Sequence, residues 1–455
     1  MRRAAAAAIL LAALGLAGGR CAAQGDPIQT LPVTPTKPQQ SNPPTPTTPQ
    51  TKPIQTSTTT SDARLLDAQK AADKGDYARV AQLLADFLKD HPENAPAHFQ
   101  LAYAYGELKR SVESAAEYRR ATEIDPSFAT AHLNLGLTLL ERGDNAGAAP
   151  AFLRAAELMP GQAKPHFLAG LALERSGKLQ EAIQQYEQAG AADSKNFDIY
   201  FRWGLTLARV GHAAEAEERL HKAIELKPDS APAHLALASA LIDEKKPEAA
   251  TVELTEYLKL SPNDLNARLQ LASALNDLGK PSEALAELDR ADAMGSPGMD
   301  RLKLRASIQI SQKDWDGAAK TLAAAESKAP QDPELHAELG RILLEKRDFP
   351  AAERELRRAL ALNPNEPGAL GNLISTVYLA RNYLATLDLL DVQEKRMSPT
   401  PIMLFVRATC YDKLQKKAQA AAAYQKFLDA DQGRSDKEEF QARERLKLLQ
   451  RELAK

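Results

Sequence analysis

The chain has 455 residues, of which 26% are charged, with 58 basic side chains against 60 acidic ones. This balance, without a concentrated basic segment, excludes the electrostatic footprint of a nucleic-acid-binding protein. There are 2 cysteines, Cys21 and Cys410. If the segment that carries Cys21 is removed, the single remaining thiol cannot form an internal disulfide.

The N-terminus has the pattern of a secretory signal. Met1, Arg2 and Arg3 form a basic start, and residues 4–16 are apolar, a run too short for a transmembrane helix. We predict a signal peptide over residues 1–23, cut after Ala23, which leaves a mature chain of formal charge −5 (55 basic against 60 acidic groups). Two alternatives stay open: an uncut membrane anchor, and lipidation at Cys21. Arg20 argues against lipidation, because a lipoprotein signal requires a small residue directly before the cysteine.

Residues 24–60 differ sharply from the rest in composition. Nine of these 37 residues are Pro and eleven are Thr, and none is aromatic. Such a segment cannot bury a core, and it is expected to be disordered and extended. It predicts a linker behind the signal, or alternatively a stalk that carries the following domain away from a wall or membrane.

Residues 61–434 repeat with a period of 34 residues. Prolines mark this period without a slip of register: Pro92, Pro126, Pro160, Pro228, Pro262, Pro330 and Pro364. Serine fills its vacant places at Ser194, Ser296 and Ser398. A fixed period of this length indicates supersecondary units that bury their apolar faces only against their neighbours. With the proline counted as position 32, the segment contains eleven repeats.

Each repeat contains two predicted helices. Glycine at position 15 ends the first helix in five repeats, and the proline at position 32 ends the second. Position 8 is Gly or Ala in ten repeats, position 20 is Ala in eight, and position 24 is large and apolar in all eleven. Small residues at positions 8 and 20 let the two helices approach closely, and the residue at position 24 fills the remaining space.

This pattern resembles the tetratricopeptide repeat family over residues 61–434. The resemblance implies an all-α fold, a right-handed superhelical solenoid of about eleven helix-turn-helix repeats. It also implies that the first helices form an inner wall that receives peptides or protein elements. Repeat 10 departs most from the pattern, with Ile374, Thr386 and Gln393 at small-residue positions. We therefore expect a bend or a partial break there.

Residues 435–455 have the pattern of a final helix. Ser435 and Asp436 can cap it, and its apolar stripe consists of Phe440, Leu446, Leu449 and Leu453. We predict a capping helix that covers repeat 11, because a terminal repeat lacks one neighbour. The alternative is a dimerisation helix.

No catalytic motif is present, and signal, linker, repeats and tail account for the whole chain, so we expect neither an enzyme nor a cofactor. Five histidines share position 4: His98, His132, His166, His234 and His336. Stacked helices lie ~8–10 Å apart, so equivalent positions cannot converge on a metal bound at about 2.0–2.1 Å. We predict structural histidines and no metal site. Cys410 is predicted to be a small, buried packing residue.

Positions 5 and 9 lie one turn apart on the first helix, on the face that the resemblance assigns to the inner wall. In repeats 2–5 both positions are apolar, at Phe99, Tyr103, Leu133, Leu137, Phe167, Leu171, Phe201 and Leu205. In repeats 6–8 position 9 is serine. The pattern predicts a partner-binding stripe on repeats 2–5. The alternative is that these side chains belong to the core.

The sequence thus favours an exported scaffold, periplasmic or extracellular, that binds a protein or peptide along its inner wall. The alternative function is a cell-envelope assembly component that contacts polysaccharide or peptidoglycan. Contact with a membrane is expected only if the N-terminal segment stays uncut or is lipidated.

Overall fold

A computed structural model describes residues 62–454 of the chain. Within this range it contains 23 helices and no strand, which confirms the predicted all-α helical repeat solenoid. These residues form two compact units, 62–287 and 288–454. The predicted signal peptide with Cys21 and the linker lie outside the described residues. None of the helices between residues 62 and 454 is long and apolar enough to cross a membrane.

Repeats 1–7 supply two helices each. They are α1 (Ala63–Asp73), α2 (Tyr77–Asp90), α3 (Ala95–Glu107), α4 (Ser111–Ile124), α5 (Ala129–Glu141), α6 (Asn145–Leu158), α7 (Ala163–Arg175), α8 (Leu179–Ala192), α9 (Phe197–Arg209), α10 (Ala213–Leu226), α11 (Ala231–Asp243), α12 (Pro247–Leu260), α13 (Leu265–Asp277) and α14 (Pro281–Ala293). The division between the two units falls within α14.

Repeats 8–11 and the tail supply the remaining helices. They are α15 (Met299–Ser311), α16 (Trp315–Lys328), α17 (Pro333–Glu345), α18 (Phe349–Leu362), α19 (Ala369–Leu379), α20 (Tyr383–Glu394), α21 (Pro401–Lys413), α22 (Lys417–Asp431) and α23 (Asp436–Leu453).

The large residue at position 24 is the centre of each repeat's packing. All eleven are at most 4% exposed: Leu84, Tyr118, Phe152, Tyr186, Leu220, Leu254, Leu288, Leu322, Leu356, Leu390 and Tyr424. Where position 8 is glycine, an added Cβ would lie 2.6 Å from the position-24 side chain: Gly136 against Phe152, Gly170 against Tyr186, Gly204 against Leu220, and Gly340 against Leu356. The small residue is therefore required by the close approach of the two helices, as the sequence pattern predicted.

The turn after the first helix is the same in every repeat. The five glycines at position 15 have a positive φ, and so do the six other residues there: Lys109, Lys245, Lys313, Arg347, Arg381 and Gln415. Non-glycine residues seldom adopt this left-handed conformation. The register of the repeat, rather than the residue type, thus decides where the first helix ends.

Repeat 10 keeps both of its helices, α19 and α20, and the expected bend or partial break of the array at this repeat stays a prediction. Its first helix starts late, after Gly368 with a φ of 74°, and spans 11 residues. Ile374 is only 2% exposed and packs in the core. Thr386 is fully buried, and its hydroxyl donates to the Asn382 carbonyl oxygen at 2.8 Å. The Thr386 side chain is accommodated because its hydroxyl is satisfied by the first turn of its own helix.

The tail forms α23 and packs against repeat 11. Ala442, Leu446 and Leu449 are at most 8% exposed. The expected stripe is wrong at Phe440 and Leu453, which are 68% and 47% exposed. Phe440 precedes Leu446 by six positions. At 3.6 residues per turn, this spacing places Phe440 about 120° away from Leu446 around the helix axis.

Candidate functional site

The eight residues of the predicted stripe lie on the first helices of repeats 2–5, which are α3, α5, α7 and α9. None of the eight is exposed: three are buried and five are half-buried. Positions 5 and 9 differ in what surrounds them. We call the position-9 residues Tyr103, Leu137, Leu171 and Leu205 the position-9 row.

The position-5 side chains take part in the packing between helices. Phe99 is 6% exposed, and its ring centroid lies 5.4 Å from that of Tyr118 at position 24. In repeat 4, the Phe167 ring centroid lies 5.9 Å from that of Tyr186, the position-24 residue of the same repeat. Leu133 is 9% exposed in the same core. Phe99 and Leu133 therefore belong to the core, whereas Phe167 and Phe201 are half-buried, and contact of position 5 with a partner stays a prediction.

In the position-9 row, three of the four residues are half-buried. Leu171 is 7% exposed, whereas Tyr103, Leu137 and Leu205 are half-buried. The Tyr103 ring stands edge-on to that of Tyr77 at 6.0 Å. Burial, with Glu107 and Tyr77 nearby, raises the pKa of the Tyr103 hydroxyl, so this side chain is neutral at physiological pH. The row presents a shallow apolar surface, and its contact with a partner stays a prediction.

A charged network beside this row was missed by the sequence analysis. The Glu174 carboxylate accepts from the Tyr186 hydroxyl at 2.7 Å and from the Arg209 guanidinium at 3.0 Å. Arg202 lies 3.9 Å from the same carboxylate. The side chain of Glu174 is 10% exposed, while those of Arg202 and Arg209 are 33% and 51% exposed. One acid and two bases leave a net positive charge next to Leu171 and Leu205.

Position 13, at the end of each first helix, carries a row of exposed charges. In repeats 2–7 these are Glu107, Glu141, Arg175, Arg209, Asp243 and Asp277. Although Asp243 and Asp277 are exposed, the surrounding protein partly desolvates their carboxyls and raises their pKa. The signs change in pairs along the chain, so the basic centre of repeats 4 and 5 has acidic residues on both sides.

The histidines at position 4 are hydrogen-bonded within the packing, as predicted. In repeat 6, His234 Nδ1 lies 2.6 Å from a Glu253 carboxylate oxygen, and Nε2 lies 2.9 Å from the Pro228 carbonyl oxygen. His98 makes the equivalent pair of contacts in repeat 2. In repeat 7 the same place holds Arg268, which donates to the Glu287 carboxylate and to the Pro262 carbonyl oxygen. A permanently charged group thus replaces histidine, which indicates that this place suits a cation.

We expect the contribution of His234 to stability to fall as the pH rises. Burial by itself lowers the pKa of His234, but the Pro228 carbonyl and the Glu253 carboxylate outweigh it and raise the pKa. Because the folded-state pKa exceeds the unfolded value of about 6.5, the stabilisation is complete below that pH and is lost above the folded pKa. The difference in urea midpoint between wild type and His234→Gln should therefore be larger at low pH than at high pH.

His132 provides a control of opposite sign. Its position-23 neighbour is Ala151, so it lacks a carboxylate partner, and burial lowers its pKa. A lowered folded-state pKa favours the neutral ring, so its contribution is lost as the pH falls through the unfolded value of about 6.5. The midpoint difference between wild type and His132→Gln should grow with rising pH. Parallel pH profiles for the two variants would contradict this account.

Stacked helix pairs with a shared packing register and an accessible row on the first helices define a helical repeat protein of the scaffold class. Models described as "Tetratricopeptide repeat" match residues 133–197, 201–264, 241–303, 309–375 and 403–431, and a model described as "TPR repeat" matches residues 112–143. The chain belongs to the tetratricopeptide repeat family, whose members are generally non-enzymatic scaffolds.

Several solved structures are similar to this chain. YrrB, described as "a TPR protein with an unusual peptide-binding site", is 20% identical, with a TM-score of 0.38 over 41% of this chain and 96% of its own. PilF of Pseudomonas aeruginosa is 24% identical, with a TM-score of 0.35 over 45% of this chain and 93% of its own. A chain of the Naa15/Naa10 complex bound to HypK-THB is 14% identical, with a TM-score of 0.45 over 81% of this chain and 63% of its own. No curated protein matches the sequence.

Proposed function

We propose that this protein is an interaction scaffold that binds a protein or peptide segment along the position-9 row. The comparison of repeats 2–5 with repeats 6 and 7 supports this proposal. Repeats 6 and 7 carry Ser239 and Ser273 at position 9, yet their position-24 residues Leu254 and Leu288 are fully buried. Helix packing therefore does not need an apolar residue at position 9. Four consecutive apolar residues there are accounted for by contact with a partner.

The spacing of the row indicates the form of the partner. Equivalent side chains on stacked helices lie ~8–10 Å apart. A helical partner presents apolar side chains on one face at about this spacing every seventh residue, and a polyproline II segment does so every third residue. The guanidinium groups of the half-buried Arg202 and the exposed Arg209 add a place for an acidic side chain. The scaffold is thus suited to an apolar segment that carries a carboxylate toward repeats 4 and 5.

The test uses a displayed peptide library selected against the chain, followed by affinity measurements on purified variants. Leu137→Glu with Leu205→Glu changes two half-buried members of the row and spares the more buried Leu171. We expect selected peptides to bind this variant at least about tenfold more weakly, because charges at two contact positions must be desolvated on binding.

The matched control is Val112→Glu with Val252→Glu, which changes two apolar residues on second helices that are 61% and 57% exposed. It adds the same charge away from the row and should leave peptide affinity unchanged. Circular dichroism checks that both variants stay helical. Equal weakening in the two variants, or retained affinity in the row variant, would contradict the proposed site.

We also propose that the mature chain works outside the cytoplasm. The basic start, the apolar run over residues 4–16 and the Pro- and Thr-rich segment behind it support export. N-terminal sequencing of protein from separated cell fractions is expected to find a chain that begins at Gln24 in the exported fraction. Recovery of chains that begin at Met1 in the cytosol would overturn this proposal.

A further inference from the structure

Three ionisable side chains lie together between repeats 8 and 9. Glu326, His336 and Glu355 come from α16, α17 and α18, and one ligand atom of each lies within 4.8 Å of the other two. His336 and Glu355 are 3% and 7% exposed, and Glu326 is half-buried. One imidazole nitrogen and two carboxylates therefore share a site largely removed from bulk water.

The orientation of the His336 ring is fixed by the backbone. Its Nε2–H donates to the Pro330 carbonyl oxygen at 3.2 Å. Nδ1 therefore faces the carboxylates, 3.0 Å from Glu355 and 3.9 Å from Glu326. Nδ1 and the two carboxylates thus converge on one small volume, where a cation could contact all three at once. A carbonyl on the far ring nitrogen is also what orients metal-bound histidines.

Glu326 is the residue that sets this site apart from the other histidine–glutamate pairs. In the repeats before His98 and His234, the place equivalent to Glu326 is occupied by Leu88 and Ile224. Those two histidines each contact a single carboxylate, Glu117 for His98 and Glu253 for His234. At His336 a second carboxylate is present. Arg354 contacts the other oxygen of Glu355 from the solvent side at 2.9 Å, and no ion pair joins Glu326 to an arginine among residues 62–454.

Acidic residues at the place of Glu326 are otherwise neutralised by arginine from the next repeat. Asp292 lies 2.9 Å from Arg305, and Glu394 lies 2.9 Å from Arg407. The residue equivalent to these arginines in repeat 9 is Leu339. Asp292 and Glu394 therefore each pair with an arginine of the next repeat. Glu326 instead lies near a histidine of the next repeat, His336.

We propose that Glu326, His336 and Glu355 form a binding site for Zn²⁺. Zinc binds imidazole nitrogen at about 2.0–2.1 Å and carboxylate oxygen at about 2.0–2.2 Å, which places tetrahedral ligand atoms about 3.4 Å apart. The separations of 3.0 and 3.9 Å lie on either side of this value. Three protein ligands leave a fourth position for water. Histidines of successive repeats lie too far apart to share a metal, whereas here one histidine meets carboxylates of two second helices.

The test is zinc titration of the chelator-treated full chain by calorimetry, with Co²⁺ absorption as a second probe of the coordination geometry. We expect one site that is weakened at least about tenfold in Glu326→Gln, a variant that removes a half-buried ligand and keeps its size. His234→Gln is the matched control, because it removes a histidine that faces a single carboxylate. Its zinc affinity should equal that of the wild type.

The Glu326→Gln variant also separates this site from weaker zinc sites elsewhere on the chain. The exposed residues His91, His212 and His221 account for any weaker sites, which Glu326→Gln would not change. Absence of a zinc site in the wild type, unchanged affinity in Glu326→Gln, or equal loss in His234→Gln would overturn the proposal.

Discussion

Phe152→Ala is expected to lower the free energy of unfolding of the repeats around it by about 3–5 kcal/mol. Phe152 is fully buried, and its ring occupies the space that a Cβ on Gly136 would enter, with ring carbons 2.6 Å from that point. Because glycine has no side chain to move into the vacated space, the cavity cannot be filled from the first helix. The loss therefore combines the transfer of the ring with the cost of an unfilled cavity.

Urea denaturation followed by circular dichroism measures this effect. The matched control is Phe440→Ala, the same change at a residue that is 68% exposed, which should shift stability by less than about 0.5 kcal/mol. Gly136→Ala supplies a further check, because its methyl group overpacks the wild type but partly fills the cavity of Phe152→Ala. The double variant should thus be more stable than the sum of the single changes predicts. Additive effects would contradict close packing between positions 8 and 24.

The fold was largely predictable because the same few positions recur every 34 residues. A small residue at position 8 marks where the two helices of a repeat approach each other, and a large residue at position 24 marks the side chain that fills the space between them. The turn at position 15 shows the limit of residue type as a signal, since Lys245 and Arg347 adopt the left-handed conformation that glycine favours. Their place in the register indicated the end of the helix, although their side chains did not.

The side-chain clusters were less predictable than the helices. The contact between Glu174 and Arg209 joins position 12 of one repeat to position 13 of the next, and nothing in a single repeat indicates it. The cluster around His336 likewise needs the acid of the preceding repeat, Glu326. A signal was present, because a glutamate at position 28 precedes a histidine at position 4 only at this boundary. Finding it requires comparison of adjacent repeats, since each cluster is assembled across a repeat boundary.

Removal of α23 by truncation after Arg434 is expected to destabilise repeats 10 and 11. Leu446 and Leu449 are 8% and 0% exposed against the core of repeat 11. Burial of each leucine contributes about 1.5–3 kcal/mol, so the truncated chain should lose about 3–6 kcal/mol of local stability. Asp412 also loses its two hydrogen bonds from Arg445, both 2.8 Å long. The exposed apolar face should make the truncated chain prone to aggregation.

Hydrogen exchange shows where this stability is lost. Because each repeat contacts only its neighbours, protection should fall in α19–α22 and stay unchanged in repeats 2–5. Leu446→Glu in the full chain should reproduce the loss, because it buries a charge beneath α23. Leu448→Glu is the matched control, since Leu448 is 47% exposed and lies two residues away on the same helix. If the truncated chain keeps the melting temperature of the full chain, α23 does not stabilise the array, and its exposed residues Phe440 and Leu453 become the stronger indication of a dimer contact.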